Sequence, residues 1–221
     1  MSQANTSTPR DFTPAVPFLA SYDLIVATMT REAHWRGALI DQLNPQPGDV
    51  VADLGCGTGS FLALLGTRAK SERLMGIDPD PAILMRAQRK LAASGVIAEL
   101  RQGYLRDAAT LLAGQQATKI VSSLVLHQVP LAEKRAGLAA IYAALPSGGE
   151  LHIADYGWQR TRLMRTMFRI VQYVDGFTDT QPNADGILPI LMREAGFVEV
   201  EETLVVPTAT GSISLYRAKR P

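Results

Sequence analysis

The residues of this chain that could do chemistry are concentrated in one run, Val50-Val-Ala-Asp-Leu-Gly-Cys-Gly-Thr-Gly59. It joins an apolar stretch to an acidic residue and then to three glycines that alternate with small residues. Glycine lacks Cβ and readily adopts a positive φ, so such a turn can bring backbone amides close to a bound molecule. A helix that begins there presents further free N–H groups. The run therefore predicts a ligand-binding turn between a strand and a helix.

A second acidic residue lies at the spacing expected of a nucleoside site. The apolar run Leu74 to Ile77 ends at Asp78, nineteen residues after Gly59. In nucleotide-binding α/β folds, a carboxylate about 20 residues beyond a glycine-rich turn holds the ribose hydroxyls. We therefore predict that Asp78 binds ribose. An Asp before Pro79 could also cap the following helix, and the two roles are compatible.

The glycine spacing distinguishes two kinds of nucleoside ligand. A dinucleotide fingerprint reads G-x-G-x-x-G, and Ser60 stands where its third glycine would be. The carboxylate of Asp53 would also repel a pyrophosphate, whereas it suits a ligand with an ammonium or sulfonium group. From Asp53 to Gly59 the chain resembles the class I S-adenosylmethionine (SAM) dependent methyltransferases, whose first motif is an acidic residue, any residue, and then G-x-G-x-G.

This resemblance covers residues 45–219 and implies a Rossmann-like α/β class I methyltransferase fold. Such a fold has a mainly parallel seven-stranded sheet with one antiparallel strand and helices on both faces. The resemblance also implies SAM as the cofactor and direct in-line displacement of its methyl group. The expected cofactor contacts are Tyr22, Asp53, Gly55, Cys56, Gly57, Thr58, Gly59, Asp78, Pro79, Gly103, Tyr104, Leu105, Ser122 and Ser123.

The chain departs from the family after the third predicted strand. The family commonly has a Gly-Asp-Ala-like segment there, whose Asp contacts the adenine amino group, but this chain reads Gly103-Tyr104-Leu105. Asp107 could replace that carboxylate, or Tyr104 could cover the base by stacking. Cys56 has no neighbour that would favour a thiolate, so its expected role is packing and backbone contact.

The run Ser122-Ser-Leu-Val-Leu-His-Gln-Val129 resembles the fourth-strand segment of the quinone-biosynthesis (ubiquinone and menaquinone) type of methyltransferase. In that resemblance the Ser122 region touches the methionine part and His127 faces the donor or the substrate. A histidine titrates near neutrality and could accept a proton, although a fixed hydrogen-bonding role is the alternative. Asp155 ends the fifth predicted strand, where it could contact substrate or cap the next loop.

We therefore take His127 and Asp155 as candidate catalytic residues. The candidate substrate contacts are Tyr22, His127, Asp155 and Phe168. The acceptor is predicted to be a small apolar or aromatic molecule. Two other functions stay open, a nicotinamide-dependent oxidoreductase and a non-catalytic SAM-binding sensor or scaffold.

The elements that must position these residues alternate along the chain, which is typical of a parallel sheet covered on both faces. The glycine-rich turn follows the first strand, and Gly196 to Lys219 is predicted as an antiparallel hairpin that turns near Thr210-Gly211. The remaining predicted strands are 74–77, 96–101, 119–124 and 150–155, and the predicted helices are 60–68, 81–94 and 132–145.

Three segments lie outside this pattern. Residues 1–10 are predicted to be a disordered tail, and residues 11–44 an N-terminal helical lid before a SAM-binding domain at 45–221. Within that domain, residues 156–186 form an insert whose apolar and arginine residues space as an amphipathic helix. The insert is either a helix packed on the core or a second lid. Residues 11–30 and 160–178 would then close over the acceptor.

Composition restricts the partners. A net charge of +1 gives no global field for nucleic acid or an anionic membrane, and no stretch approaches the ~18 apolar residues of a membrane span. The polar first ten residues do not resemble a secretion signal, and the single cysteine fits a reducing cytoplasm. The three histidines show no metal-ligand spacing, so transfer is predicted to need no divalent metal. A homodimer is left open.

Overall fold

The structure, a computed structural model, describes residues 31–69 and 73–221. Seven strands form one sheet within these ranges. Their bounds are β1 Val50–Leu54, β2 Arg73–Asp78, β3 Ala98–Gln102, β4 Lys119–Ser123, β5 Glu150–Tyr156, β6 Val198–Thr208 and β7 Gly211–Lys219. The helices are α1 Glu32–Leu43, α2 Ser60–Arg68, α3 Pro81–Ala93, α4 Ala108–Leu111, α5 Leu131–Ala144, α6 Arg162–Asp175, α7 Phe177–Ala184 and α8 Leu188–Glu194.

The strand order is β3-β2-β1-β4-β5-β7-β6. Pairing is parallel between β1 and β2, β2 and β3, β1 and β4, and β4 and β5. Strand β7 runs antiparallel to both β5 and β6. The predicted mainly parallel seven-stranded sheet with one antiparallel strand is therefore confirmed. The order reverses between β1 and β4, and ligands of open α/β sheets bind beyond the carboxyl ends of strands at such a point.

The two faces of the sheet are covered by different helices. Val51 and Val121 pack in one cluster with residues of α1 and α2, whereas Ala52 and Ile120 pack in the other with residues of α5 and α8. Alternate residues of a strand point to opposite faces, so strands buried on both faces must be apolar throughout. The apolar runs at β1 and β4 follow this requirement and bring their carboxyl ends to the same edge.

Most predicted elements agree with the structure, but the third strand begins later than predicted. Gly95 has a φ of 65°, and the amide of Val96 donates to the carbonyl of Leu91 at 3.0 Å. These residues therefore end α3 in a turn that satisfies its last carbonyls. Val96 is occupied with this helix end, so the strand starts at Ala98.

The two predicted additions to the sheet are described in part. The predicted tail and the predicted closure by residues 11–30 both fall on residues 1–30, which lie outside the described residues. The described part of the predicted lid is α1, which contacts β5 and β7 and buries Trp35 and Leu39 completely. The insert contains α6 and α7, and the predicted amphipathic helix is present. No helix within 31–69 and 73–221 has the length and apolar character to cross a membrane.

Candidate active site

The glycine-rich turn connects β1 to α2 at the reversal of strand order. Gly55, Gly57 and Gly59 all have positive φ, at 76°, 53° and 73°. A Cβ on Gly55 would overlap the side chain of Val125, whereas a Cβ on Gly57 would meet nothing within 4 Å. The first glycine is therefore required for packing against the segment after β4. Gly57 instead faces open space, which is where a ligand could approach the backbone.

Gly57 also lines a cavity of about 270 Å³. Nine of its lining residues were predicted as cofactor contacts, namely Gly55, Cys56, Gly57, Thr58, Asp78, Pro79, Tyr104, Leu105 and Ser123. Nine others were not predicted, namely Arg36, Ser60, Phe61, Arg106, Leu124, Val125, Gln128, Val129 and Glu133. The cavity thus gathers residues from the ends of several strands, as expected at a topological switch point.

Asp78 fastens the glycine-rich turn. Its Oδ2 accepts the amide of Gly57 at 3.0 Å, and its Oδ1 accepts the amide of Asp80 at 3.0 Å. Burial raises the pKa of Asp78 and these two amides lower it. The suggestion that Asp78 caps α3 is wrong, because Asp80 is the N-cap and accepts the amides of Ala82 and Ile83. Asp78 instead lines the cavity.

Asp53 is buried behind this turn with a relative exposure of 1%. Neither carboxylate oxygen has a hydrogen-bond partner among the described residues. Burial raises the pKa of Asp53 to about 7, while the positive charge of Arg36 lowers it and the negative charge of Asp78 raises it. A buried polar group without a partner is costly, and a charged one more so. A cationic group bound nearby would reduce that cost.

Arg36 brings a guanidinium from α1 to the cavity wall. Its Nη2 pairs with Glu32 at 2.5 Å, and its Cζ lies 5.2 Å from the centre of the Trp35 ring. The buried Trp35 anchors α1 on the sheet and so fixes where Arg36 emerges. No motif in the sequence marks Arg36, because its position follows from how α1 packs.

Tyr104 also lines the cavity. Asp107 uses its Oδ2 to accept the amide of Tyr104 at 3.0 Å and does not line the cavity. The Arg106 guanidinium stacks over the Tyr104 ring at 4.5 Å and pairs with Glu133 at 2.7 Å. Of the two alternatives for the adenine end, the structure thus brings Tyr104 to the cavity and gives Asp107 a local capping role.

The predicted catalytic pair meets, but behind the cavity wall. His127 Nδ1 lies 2.7 Å from Asp155 Oδ1, and both side chains are buried. Neither residue lines the cavity. Phe168 is also buried, with its ring 5.0 Å from that of Tyr156. The catalytic role of the pair and the substrate role of Phe168 stay predictions, and Tyr22 lies outside the described residues.

Three further predicted cofactor residues, Ser122, Gly59 and Gly103, do not line the cavity. The hydroxyl of Ser122 donates to the carbonyl of Leu54 at 2.9 Å, within the sheet. Cys56 does line it, and burial raises the pKa of its thiol. A thiolate is therefore disfavoured, in keeping with the expected packing role.

Part of the chain is similar in sequence to known proteins. Residues 51–149 match the family model described as a methyltransferase domain. Carboxy-S-adenosyl-L-methionine synthase of Trichodesmium erythraeum is 32% identical over 123 residues, which cover 55% of this chain and 46% of that protein. Trans-aconitate 2-methyltransferase of Streptomyces avermitilis is 29% identical over 140 residues, covering 62% of this chain and 51% of that protein. The chain thus spans about half the length of these two relatives.

Among solved structures, an O-methyltransferase family protein from Burkholderia thailandensis superposes with a TM-score of 0.67 at 19% identity, covering 91% of this chain and 60% of that chain. This likeness shows that the fold is the Rossmann-like fold of methyltransferases. The relatives do not confirm the finer resemblance to the quinone-biosynthesis type.

Proposed function

We propose that this chain, in which residues 51–149 match a methyltransferase domain, transfers a methyl group from SAM to a small acceptor by in-line displacement. The observation that carries the proposal is the arrangement around Gly57. The cavity is lined by a carboxylate, an aromatic residue and a cationic residue, namely Asp78, Tyr104 and Arg36. SAM has matching parts, a nucleoside at one end and an amino acid at the other.

The residues fit this ligand in the following way. Asp78 binds the ribose hydroxyls and Tyr104 covers the adenine. Arg36 pairs with the carboxylate of the methionine part, and Asp53 provides negative charge behind its ammonium and sulfonium. SAM supplies the electrophilic methyl carbon, so the protein chiefly binds, aligns and excludes water.

The two other functions have weaker support. A nicotinamide-dependent oxidoreductase would place a pyrophosphate at the glycine-rich turn, where Asp53 is buried without a partner among the described residues. The relatives reported above include no such enzyme. A non-catalytic sensor would need the same cofactor site, and the names of both curated relatives are those of enzymes.

The acceptor is proposed to be small and apolar or aromatic. Leu124, Val125 and Val129 give the β4 side of the cavity an apolar wall. The likeness to the quinone-biosynthesis type rests on residues 122–129 and points to the same kind of acceptor. The relative from Streptomyces avermitilis is named for trans-aconitate, so a polar acid is the competing class. A cytoplasmic location is proposed on the single cysteine, Cys56.

S-adenosylhomocysteine (SAH) is expected to raise the melting temperature of the protein, whereas NADH is not. A ligand at 100 times its dissociation constant adds about 2.7 kcal/mol to the free energy of unfolding. Differential scanning fluorimetry with SAH, SAM and NADH at matched concentrations measures this. A response to NADH with none to SAH or SAM would contradict the proposal.

Methyl transfer is expected to survive a chelator. Across 31–69 and 73–221, no group of three or more His, Cys, Asp or Glu side chains is arranged to hold a metal ion. Displacement at a sulfonium carbon needs no Lewis acid, since the sulfur already carries a positive charge and leaves with the electron pair of the C–S bond as a neutral thioether. Labelled SAM with a panel of acceptors, assayed with and without EDTA, tests this. Loss of activity that magnesium restores would show that a metal site exists.

A further inference from the structure

A segment of five residues that follows β4, Val125 to Val129, connects the cavity to the insert. Val125, Gln128 and Val129 line the cavity, while Leu126 and His127 point behind it and are buried. Helix α7 contacts residues 126–128 of this segment, and α6 reaches it through Asp175. Two buried cationic side chains connect this segment to the insert.

Asp155, near the end of β5, makes the first of these contacts. Its Oδ2 accepts the amides of Val125, Leu126 and His127 at 3.1, 2.6 and 3.3 Å. Its Oδ1 accepts the amide of Tyr156 at 2.7 Å and faces the His127 ring nitrogen Nδ1 at 2.7 Å. A buried carboxylate with this many donors fixes the local backbone. Asp155 therefore sets the path of the cavity wall.

His127 extends this contact to the insert. Its second ring nitrogen, Nε2, lies 3.4 Å from Oδ2 of Asp175, the last residue of α6. A neutral imidazole has one N–H and one acceptor nitrogen, so only the imidazolium can donate to both carboxylates. Burial lowers the pKa of His127, but Asp155 and then Asp175 outweigh it and raise the pKa to about 9. His127 is thus a buried cation between two acids.

Lys134 of α5 makes a parallel connection. Its Nζ donates to the carbonyl of Val129 at 2.5 Å and to the carbonyl of Asp179 in α7 at 2.7 Å. The first carbonyl belongs to the cavity wall and the second to the insert. Burial lowers the pKa of Lys134 to about 8, while Asp155 and Asp179 raise it. Two cations therefore hold the same wall against the same insert.

We propose that Asp175, acting through His127, is a positioning residue that couples the insert to the cofactor cavity. In this arrangement His127 keeps its proton and holds the wall, so it does not take a proton from the acceptor. Lys134 reinforces the contact from α5. The coupling rests on the proposed function only where it affects SAM binding, since the contact between the wall and the insert is independent of what the cavity binds.

Asp175→Asn tests the coupling because it removes one charge and keeps the shape of the side chain. The matched control is Asp185→Asn. Asp185 lies just beyond α7 and forms an exposed ion pair with Arg165, so this variant loses the same charge. We expect Asp175→Asn alone to speed hydrogen exchange in peptides that cover residues 122–130. We also expect its SAH dissociation constant to rise about tenfold, which lies within the usual range of coupling between sites.

The protonation of His127 has its own measurement. Nitrogen-15 NMR of the wild-type protein, assigned with His127→Gln, should show both ring nitrogens protonated at pH 7. The titration midpoint should fall toward the ordinary value of about 6.5 in Asp175→Asn. A wild-type imidazole that titrates near 6.5 would overturn the proposal even if the variant failed to fold.

Two further results would also overturn it. One is an exchange pattern for Asp175→Asn that matches Asp185→Asn. The other is faster exchange with unchanged SAH affinity, because the contact would then be structural only. If the wild-type protein binds no SAH, the proposed function fails, whereas exchange and NMR still test the contact itself.

Discussion

Asp53→Asn is expected to stabilise the ligand-free protein while it weakens SAH binding. The carboxylate of Asp53 is buried without a partner among the described residues, and burial raises its pKa to about 7. A neutral amide at this position avoids the cost of a buried charge. Each pKa unit corresponds to about 1.4 kcal/mol, so a rise of the Asp53 pKa to about 7 allows a gain in unfolding free energy of up to about 4 kcal/mol at pH 8. The same change removes the negative charge that favours a cationic ligand.

The pH dependence follows from the direction of the shift. Because the pKa of Asp53 is higher in the folded state, the folded protein holds a proton that the unfolded chain has lost between about pH 4 and pH 7. The contribution of Asp53 to stability therefore falls as the pH rises through that window. Asp53→Asn should lose this slope, so the difference between variant and wild type should be small at pH 4 and largest above pH 7.

Urea unfolding at pH 5 and pH 8 measures the stability, and isothermal titration calorimetry measures SAH affinity. Asp41→Asn is the control, since Asp41 is an exposed residue of α1 and loses the same charge. Binding near pH 7 should also release protons, because the ammonium of SAH favours the charged form of Asp53. Calorimetry in two buffers of different ionisation enthalpy would detect this release. A destabilised Asp53→Asn with normal SAH affinity would contradict the assignment.

The glycine-rich turn and Asp78 could be predicted from the sequence because their roles depend on local backbone. Gly57 must adopt a positive φ, and Asp78 must end β2 at a fixed distance from that turn. Both requirements appear in residue type and spacing along the chain. The sheet could be predicted for a related reason, since each strand must be apolar to be buried on both faces.

Residues that depend on tertiary packing could not be predicted in this way. Arg36 reaches the cavity only because Trp35 and Leu39 fix the rotation of α1 on the sheet. Asp175 meets His127 only because the insert docks with the end of α6 behind the wall. Neither contact leaves a periodic or compositional signal. The choice between Tyr104 and Asp107 likewise depends on a backbone hydrogen bond that the sequence does not reveal.

Gly57→Val is expected to abolish the response to SAH while the protein still folds. A Cβ at Gly57 meets no protein atom within 4 Å and would point into open space beside the cavity wall. A branched side chain there would occupy volume that the cofactor needs. Overpacking of this kind costs about 1–3 kcal/mol, so SAH affinity should fall roughly 100-fold at the upper end of that range.

The backbone strain of this substitution needs its own control, because Gly57 has a φ of 53° and valine tolerates that region poorly. Gly114→Val provides this control. Gly114 is exposed and has a φ of 73°, and a Cβ there would likewise meet no protein atom within 4 Å. Both variants should lose a similar amount of stability, on the order of 1–2 kcal/mol. Only Gly57→Val should lose the SAH-induced rise in melting temperature. Gly55→Val would not serve, because its side chain would overlap Val125 and disturb the fold itself. If Gly57→Val binds SAH as tightly as Gly114→Val does, the cofactor does not approach this turn, and the site lies elsewhere in the chain.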